Sequence, residues 1–309
     1  MGIKHPFTSG KADGGDTTLV QPSNWNADHV VENYIDLPDV VTPAAPAVGW
    51  LRMFAKTRAA RATLNSIGPS GVDVAYQPAF FGNTIIMWLP GATTSQTSFG
   101  VTYTARNVGT AAAQDTPARA STGAMTSISR ARFGTGTTAT GASGTQTAAT
   151  VAWRGNGVGL GGFFFNARFG VETLAADQRI MVGLSANNAA MAADGSTWAN
   201  TCALVKDSAD STWQFATRNA TTLTKTPSGA TVTAGQVLDL YVFAPPNAST
   251  INVRLVDAVT GTIYMDDVEI ATNLPVSTTF LYMQAHTQSV TGTTAKLLAL
   301  NKMYLEQDL

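Results

Sequence analysis

Beyond Phe80 this sequence never sustains an apolar period of 3.6 residues for three turns. It runs instead in short stretches of Thr, Val, Leu and aromatic residues cut by Gly, Pro, Asn and Asp. That pattern excludes helical bundles. It also excludes alternating strand–helix folds, because parallel strands need crossover helices to connect them. The stretches predicted as strands are Thr84–Leu89, Phe99–Ala105, Met125–Phe133, Thr147–Trp153, Phe163–Val171, Arg179–Ser185, Ala203–Lys206, Thr212–Thr217, Val237–Phe243, Thr250–Asp257, Thr262–Met265, Thr279–His286 and Lys296–Leu305. A period of two is clearest in Val237–Phe243 and in residues 251–256. So many strands without helices predict an all-β chain, whose residues 81–309 form an antiparallel β-sandwich head of jelly-roll or concanavalin-like type.

Threonine fits this reading, being β-branched and stiff while its hydroxyl keeps an exposed face wet without a charge. Charged residues are only 13% of the 309, and 44% are hydrophobic, too many for intrinsic disorder. With 19 basic and 20 acidic side chains, nucleic acid is not an expected partner, because phosphate neutralisation needs a concentrated cationic surface. No apolar run approaches the roughly 18 residues of a membrane span, so no membrane insertion is expected. Residues 1–6 lack a signal-peptide core, which predicts synthesis in the cytoplasm. Cys202 has no second cysteine to pair with and reads as a small buried hydrophobe.

Residues 1–45 are rich in turn formers and poor in apolar periodicity, with Pro38 and Pro43 marking an extended link. Residues 46–80 read as a small hairpin module: Trp50–Lys56 as one strand, Arg61–Ile67 as its return and Thr57–Ala60 as the connection. A module this size is not stable alone and is expected to trimerise. Gly134–Ala149, built almost wholly of Gly, Thr, Ala and Ser, reads either as a loop tip or as a packed surface of small residues. Composition favours the loop.

Chemistry-bearing motifs are few. Gly157-Val158-Gly159-Leu160-Gly161-Gly162 matches a dinucleotide-binding pattern but leads into a strand, Phe163–Phe169, instead of the helix that pattern requires. His5, His29 and His286 lie far apart, and none has a nucleophile motif beside it. Asp257, Asp266, Asp267 and Glu269, like Asp207 and Asp210, read as solvated turn residues ahead of a glycosidase pair or a metal site. No catalytic residue, metal or cofactor is therefore expected. Trp198 and Trp213, near polar turns, are the candidate glycan-stacking residues, with core packing the competing reading. Residues 81–171 carry six arginines and one acid, whereas residues 172–309 carry seven basic and twelve acidic groups. Two such halves suit a chain that pairs with itself, within the sandwich or across a subunit contact.

The run His5-Pro6-Phe7-Thr8-Ser9-Gly10-Lys11-Ala12-Asp13-Gly14-Gly15-Asp16, continued by Gln21-Pro22-Ser23-Asn24-Trp25-Asn26-Ala27-Asp28-His29, resembles the opening of tailed-bacteriophage tail-fibre and related virion proteins. The strand at residues 50–56 and the Gly68-Pro69-Ser70-Gly71 passage resemble the next stretch of those proteins, so the likeness covers residues 3–80. It implies a non-enzymatic homotrimer in the virion that docks on phage tail or collar proteins by its N-terminus. Phe7, Asp13, Asp16, Trp25 and Asn26 are the docking candidates. The head would meet a host-surface glycan or another fibre component. The alternatives are a polysaccharide-degrading tailspike-type enzyme and a capsid head fibre or decoration protein.

Overall fold

The computed structural model describes residues 2–3, 15, 29–30, 36–69, 73–76, 84–91, 96–109, 113–157 and 160–307. The chain forms two compact units, one from Met1–Lys56 with Leu64–Ala75, the other from Thr57–Thr63 with Tyr76–Leu309. In the first, β1 (Gly2–Ile3) and β2 (His29–Val30) pair antiparallel. A three-stranded sheet comes next, β3 (Arg52–Arg58), β4 (Arg61–Ile67) and β5 (Asp73–Tyr76), in that order. The predicted return strand matches β4, and the connection tightens to Ala59-Ala60, both at positive φ (52° and 59°). The turn end of this hairpin, Thr57–Thr63, belongs to the second unit.

The second unit continues with β6 (Thr84–Pro90), β7 (Gln96–Phe99), β8 (Tyr103–Ala105), β9 (Ala113–Asp115), a one-turn helix α1 (Ala124–Ser127), β10 (Ala131–Gly134) and β11 (Ala142–Thr147). Then come β12 (Phe163–Thr173), β13 (Gln178–Ser185), a 3-10 turn at Gly195–Thr197, β14 (Thr201–Lys206), β15 (Thr212–Arg218) and β16 (Leu223–Thr231). β17 (Val237–Ala244), β18 (Ile251–Asp257), β19 (Ile263–Ile270), β20 (Tyr282–Ser289) and β21 (Leu297–Gln307) complete it. One sheet has nine strands in the order β19-β18-β17-β12-β21-β10-β9, with β6 also on β21 and β7 beyond β6. The other has seven, β16-β15-β14-β13-β20-β11-β8. The fold is thus an all-β, antiparallel two-sheet sandwich.

Alternation along the strands builds the core. On β12, Phe163, Phe165, Ala167, Phe169 and Val171 point inward, meeting Ile180, Val182 and Leu184 of β13 and Leu204 and Phe215 from the seven-stranded sheet. Each buried aromatic or aliphatic side chain is worth about 1.5–3 kcal/mol. β21 pairs with β12 on one side, from Gln307↔Phe163 to Leu297↔Thr173. Its other side takes β10 along residues 297–300 and β6 along residues 303–307. The register slips at Asn301, between Arg168↔Lys302 and Phe169↔Leu300. The bulge marks the point where β21 changes partners.

Two expectations are corrected. Residues 134–149 are not a loop tip: β11 lies there, all six residues buried between β20 and β8, and only residues 135–141 turn. Small and β-branched residues fit because bulk comes from the neighbours. A Cβ on Gly144 would lie 2.3 Å from His286 Nδ1. The strand expected over Met125–Phe133 is instead α1 followed by β10. Of the glycines before β12, Gly155, Gly161 and Gly162 have positive φ, and the strand follows them with no helix.

Candidate functional site

The sequence-derived candidates separate. Phe7, Asp13, Asp16, Trp25 and Asn26 lie outside the described residues. Trp213 is 1% exposed, its ring edge-on to Phe169 at 5.6 Å between the two sheets. It has no face to offer a sugar. Burial between sheets, instead of the nearby polar turn, sets its role.

Trp198 is only half-buried and sits on the outer face of the seven-stranded sheet. There Met181, Ala203, Val205 and Ala216 alternate with the inward Val182, Leu204 and Phe215, and Met191 and Trp198 pack onto them from the segment 186–200. Asp194 holds that segment: its carboxylate accepts from Ser196 N (3.0 Å) and from Ser196 Oγ (2.6 Å), and Lys225 reaches it at 3.3 Å. Beneath it lies a row of polar side chains. Arg106 Nε donates to Gln146 Oε1 (3.0 Å) and its Nη2 to Asn188 Oδ1. Gln146 Nε2 donates to Asn187 O (3.1 Å). His286 Nε2 bonds Gln284 Oε1 at 2.9 Å, and the Trp198 ring meets the imidazole edge-on at 5.4 Å.

A carboxamide oxygen only accepts, so the His286 proton is on Nε2 and Nδ1 is bare. Nδ1 has no hydrogen-bond partner, and burial, with Arg106 adding repulsion, pushes the imidazole pKa down to about 3. A fully buried histidine that stays neutral near pH 7 packs the sheet and moves no protons there. Cys202 is buried in the core and burial pushes its thiol up to about 12, as its reading as a hydrophobe implies.

Five of the six acidic candidates are committed to partners, and the sixth, Glu269, is exposed. Asp257 Oδ1 accepts from Val259 N and Thr260 N, both 2.9 Å, and Oδ2 from Gln236 Nε2 (2.9 Å). Burial works to raise its pKa; the bonds from Thr260, Gln236 and Val259 outweigh it and hold the carboxyl below its usual range. Asp266 and Asp267 both pair with Arg254, at 2.7 and 3.2 Å. Asp207 pairs with Arg179 (2.7 Å) and Asp210 with Lys225 (2.9 Å). Among the described residues no group of three or more His, Cys, Asp or Glu is arranged to hold a metal ion.

An aromatic pair with one exposed ring, Phe280, escaped the sequence reading. Trp153 and Phe280 stack at 5.1 Å with their planes 25° apart, next to the Ala152↔Leu281 bridge, and Phe280 is 51% exposed. Arg154 beside them donates its Nη1 to Pro275 O (2.9 Å) and its Nη2 to Ala248 O (2.7 Å), so a guanidinium fixed on two backbone carbonyls borders the rings. The signal available was an aromatic residue following Ser277-Thr278-Thr279, a polar run at the entry to a strand.

No family model and no curated protein matches this chain. Among solved structures, it is similar to a protein of unknown function from Shewanella oneidensis MR-1, with TM-score 0.51, 11% identity, and coverage of 75% of this chain and 90% of that one. It is also similar to peanut lectin, with TM-score 0.49, 9% identity, and coverage of 73% and 97%. For arcelin-5, a lectin-like defence protein from Phaseolus vulgaris, the TM-score is 0.46, identity 8%, and coverage 74% and 99%. At such identities the likeness concerns the fold.

Proposed function

We propose that this chain is a structural, non-enzymatic component of a tailed-bacteriophage virion: a homotrimeric fibre that docks by its N-terminus and presents the sandwich to a host-surface glycan or to another fibre component. The observation that carries this reading is the division of labour along the chain. Residues 84–307 build a sandwich with its own core, whereas residues 36–56 and 64–69 bury little beyond Phe54 and Ile67 and leave several large apolar side chains exposed. A segment like that belongs in an assembly, and the residues ahead of it carry the resemblance to phage fibres. The stack of exposed Phe280 on half-buried Trp153 supports the glycan part, because a ring fixed by its neighbour contacts an apolar sugar face at little entropic cost. The paired carboxylates and the buried neutral His286 speak against the tailspike-type enzyme.

Deleting residues 1–30 tests the docking role. The truncated protein is expected to keep its oligomeric mass and to be missing from particles purified after infection and lysis. Incorporation of the truncated chain at the wild-type level would overturn the anchor assignment.

A further inference from the structure

Half of the large apolar side chains exposed among the described residues, eight of sixteen, fall between Leu37 and Leu64. The hairpin explains their arrangement. Its two-residue turn sets Arg58 opposite Arg61, so strand alternation puts Leu51, Met53 and Leu64 on one face and Phe54, Asn65 and Ile67 on the other. Burial agrees: Phe54, Asn65 and Ile67 are buried, whereas Leu51, Met53 and Leu64 are exposed. The segment 39–44 covers the Phe54 side. Asp39 bridges Ala55 in parallel, Lys56 Nζ donates to Thr42 Oγ1 (2.6 Å), and Arg52 Nη1 donates to Ala44 O (2.8 Å). From that covering segment and the turn after it, Val41 (91% exposed), Val48 (90%) and Trp50 (71%) stand outward.

Meeting across a contact between two copies, three from each, these six side chains would bury roughly 700 Å² of apolar surface, out of the roughly 1,600 Å² that a standard specific interface buries in all. The surface also comes in two parts, the bare face of Leu51, Met53 and Leu64 and the outward residues of the covering segment. A ring of identical chains uses two different surfaces of each copy, whereas a two-fold dimer matches one surface to itself.

We propose that these two patches are the self-association surface of the chain, Leu51, Met53 and Leu64 of one copy packing against Val41, Val48 and Trp50 of the next around a closed three-membered ring. The choice of occupant, further copies of this chain, rests on the reading of the protein as a self-assembling fibre component. The test is light scattering on the full-length chain at micromolar concentration, for wild type, Met53→Glu and Val48→Glu, with Val259→Glu in an exposed sandwich turn as control. Wild type and control are expected at three times the single-chain mass and both patch variants at the single-chain mass, all with the same melting midpoint for the sandwich. Val48 lies outside the strands, so its variant reports on association even where Met53→Glu disturbs the sheet. A wild-type trimer that both variants preserve would overturn the surface and leave the fibre reading standing. A single-chain mass for wild type would overturn both.

Discussion

An imidazole buried without a partner on one nitrogen stays neutral at the expense of its charged form, and His286 is in that position: Nε2 bonded to Gln284, Nδ1 bare beside Gly144, the Trp198 edge and Met181 on the other sides, and Arg106 the charged group that opposes protonation. Its folded pKa of about 3 lies below the usual 6.5, so its contribution to stability is complete above pH 6.5 and is lost as pH falls toward 3. Each pH unit in that window costs about 1.4 kcal/mol. Melting followed from pH 7 to 4.5 should show a falling midpoint for wild type and a flatter one for His286→Gln. The depressed carboxylates Asp177, Asp207 and Asp257 add their own losses only below about pH 4. A wild-type midpoint constant over this range would show that the ring reaches water when protonated.

At the scale of elements, the β3–β4 turn places two alanines in the left-handed region, where Asn-Gly is the usual choice and each Cβ costs about 1 kcal/mol. Contacts made by the turn offset the strain. Ala59 N donates to Asp267 Oδ1 (2.6 Å), and Arg61 forks onto Glu306 with bonds of 2.9 and 2.5 Å while its guanidinium lies 5.0 Å above the Phe164 ring. Glu306 is buried, so removing Arg61 takes both fork bonds from a carboxylate on which the Tyr304 hydroxyl (3.2 Å) remains. Arg61→Met should cost about 3–5 kcal/mol in denaturant unfolding, and adding Glu306→Gln should recover a large part of it. Equal costs for the single and double variants would mean that the pair contributes no coupling. This hairpin was readable in the sequence because its strands alternate and its turn is short. β16 was not, since Pro227 and Gly229 interrupt it; it stands because it is an edge strand, where a missing N–H goes unnoticed. β11 was hidden for another reason, its lack of bulk, which only the neighbouring His286 explains.

Across the whole molecule, the opposite charges of the two halves meet inside the sandwich, where Arg130 and Arg132 pair with Glu172, and Arg168 pairs with Asp239 (2.7 Å). Both sheets share one hydrophobic core, so they melt together. Phe169→Ala on β12 and Phe215→Ala on β15 should each lower a single calorimetric transition, by about 3–5 kcal/mol; two separate transitions would show that the sheets unfold independently. The all-β class and the sandwich were legible because alternation and turns are local signals. The side-chain surroundings were not: Trp213 and Trp198 both lie near polar turns, yet Trp213 sits on β15 with its ring on the inward face, whereas Trp198 caps the outer face of the seven-stranded sheet from the turn ahead of β14. β21, the last strand in chain order, lies in the interior of the nine-stranded sheet, between β12 on one side and β10 and β6 on the other. During synthesis its neighbours leave the ribosome first and wait with bare hydrogen-bonding rims, so translation that stops early yields a sticky fragment open to chaperones and proteases.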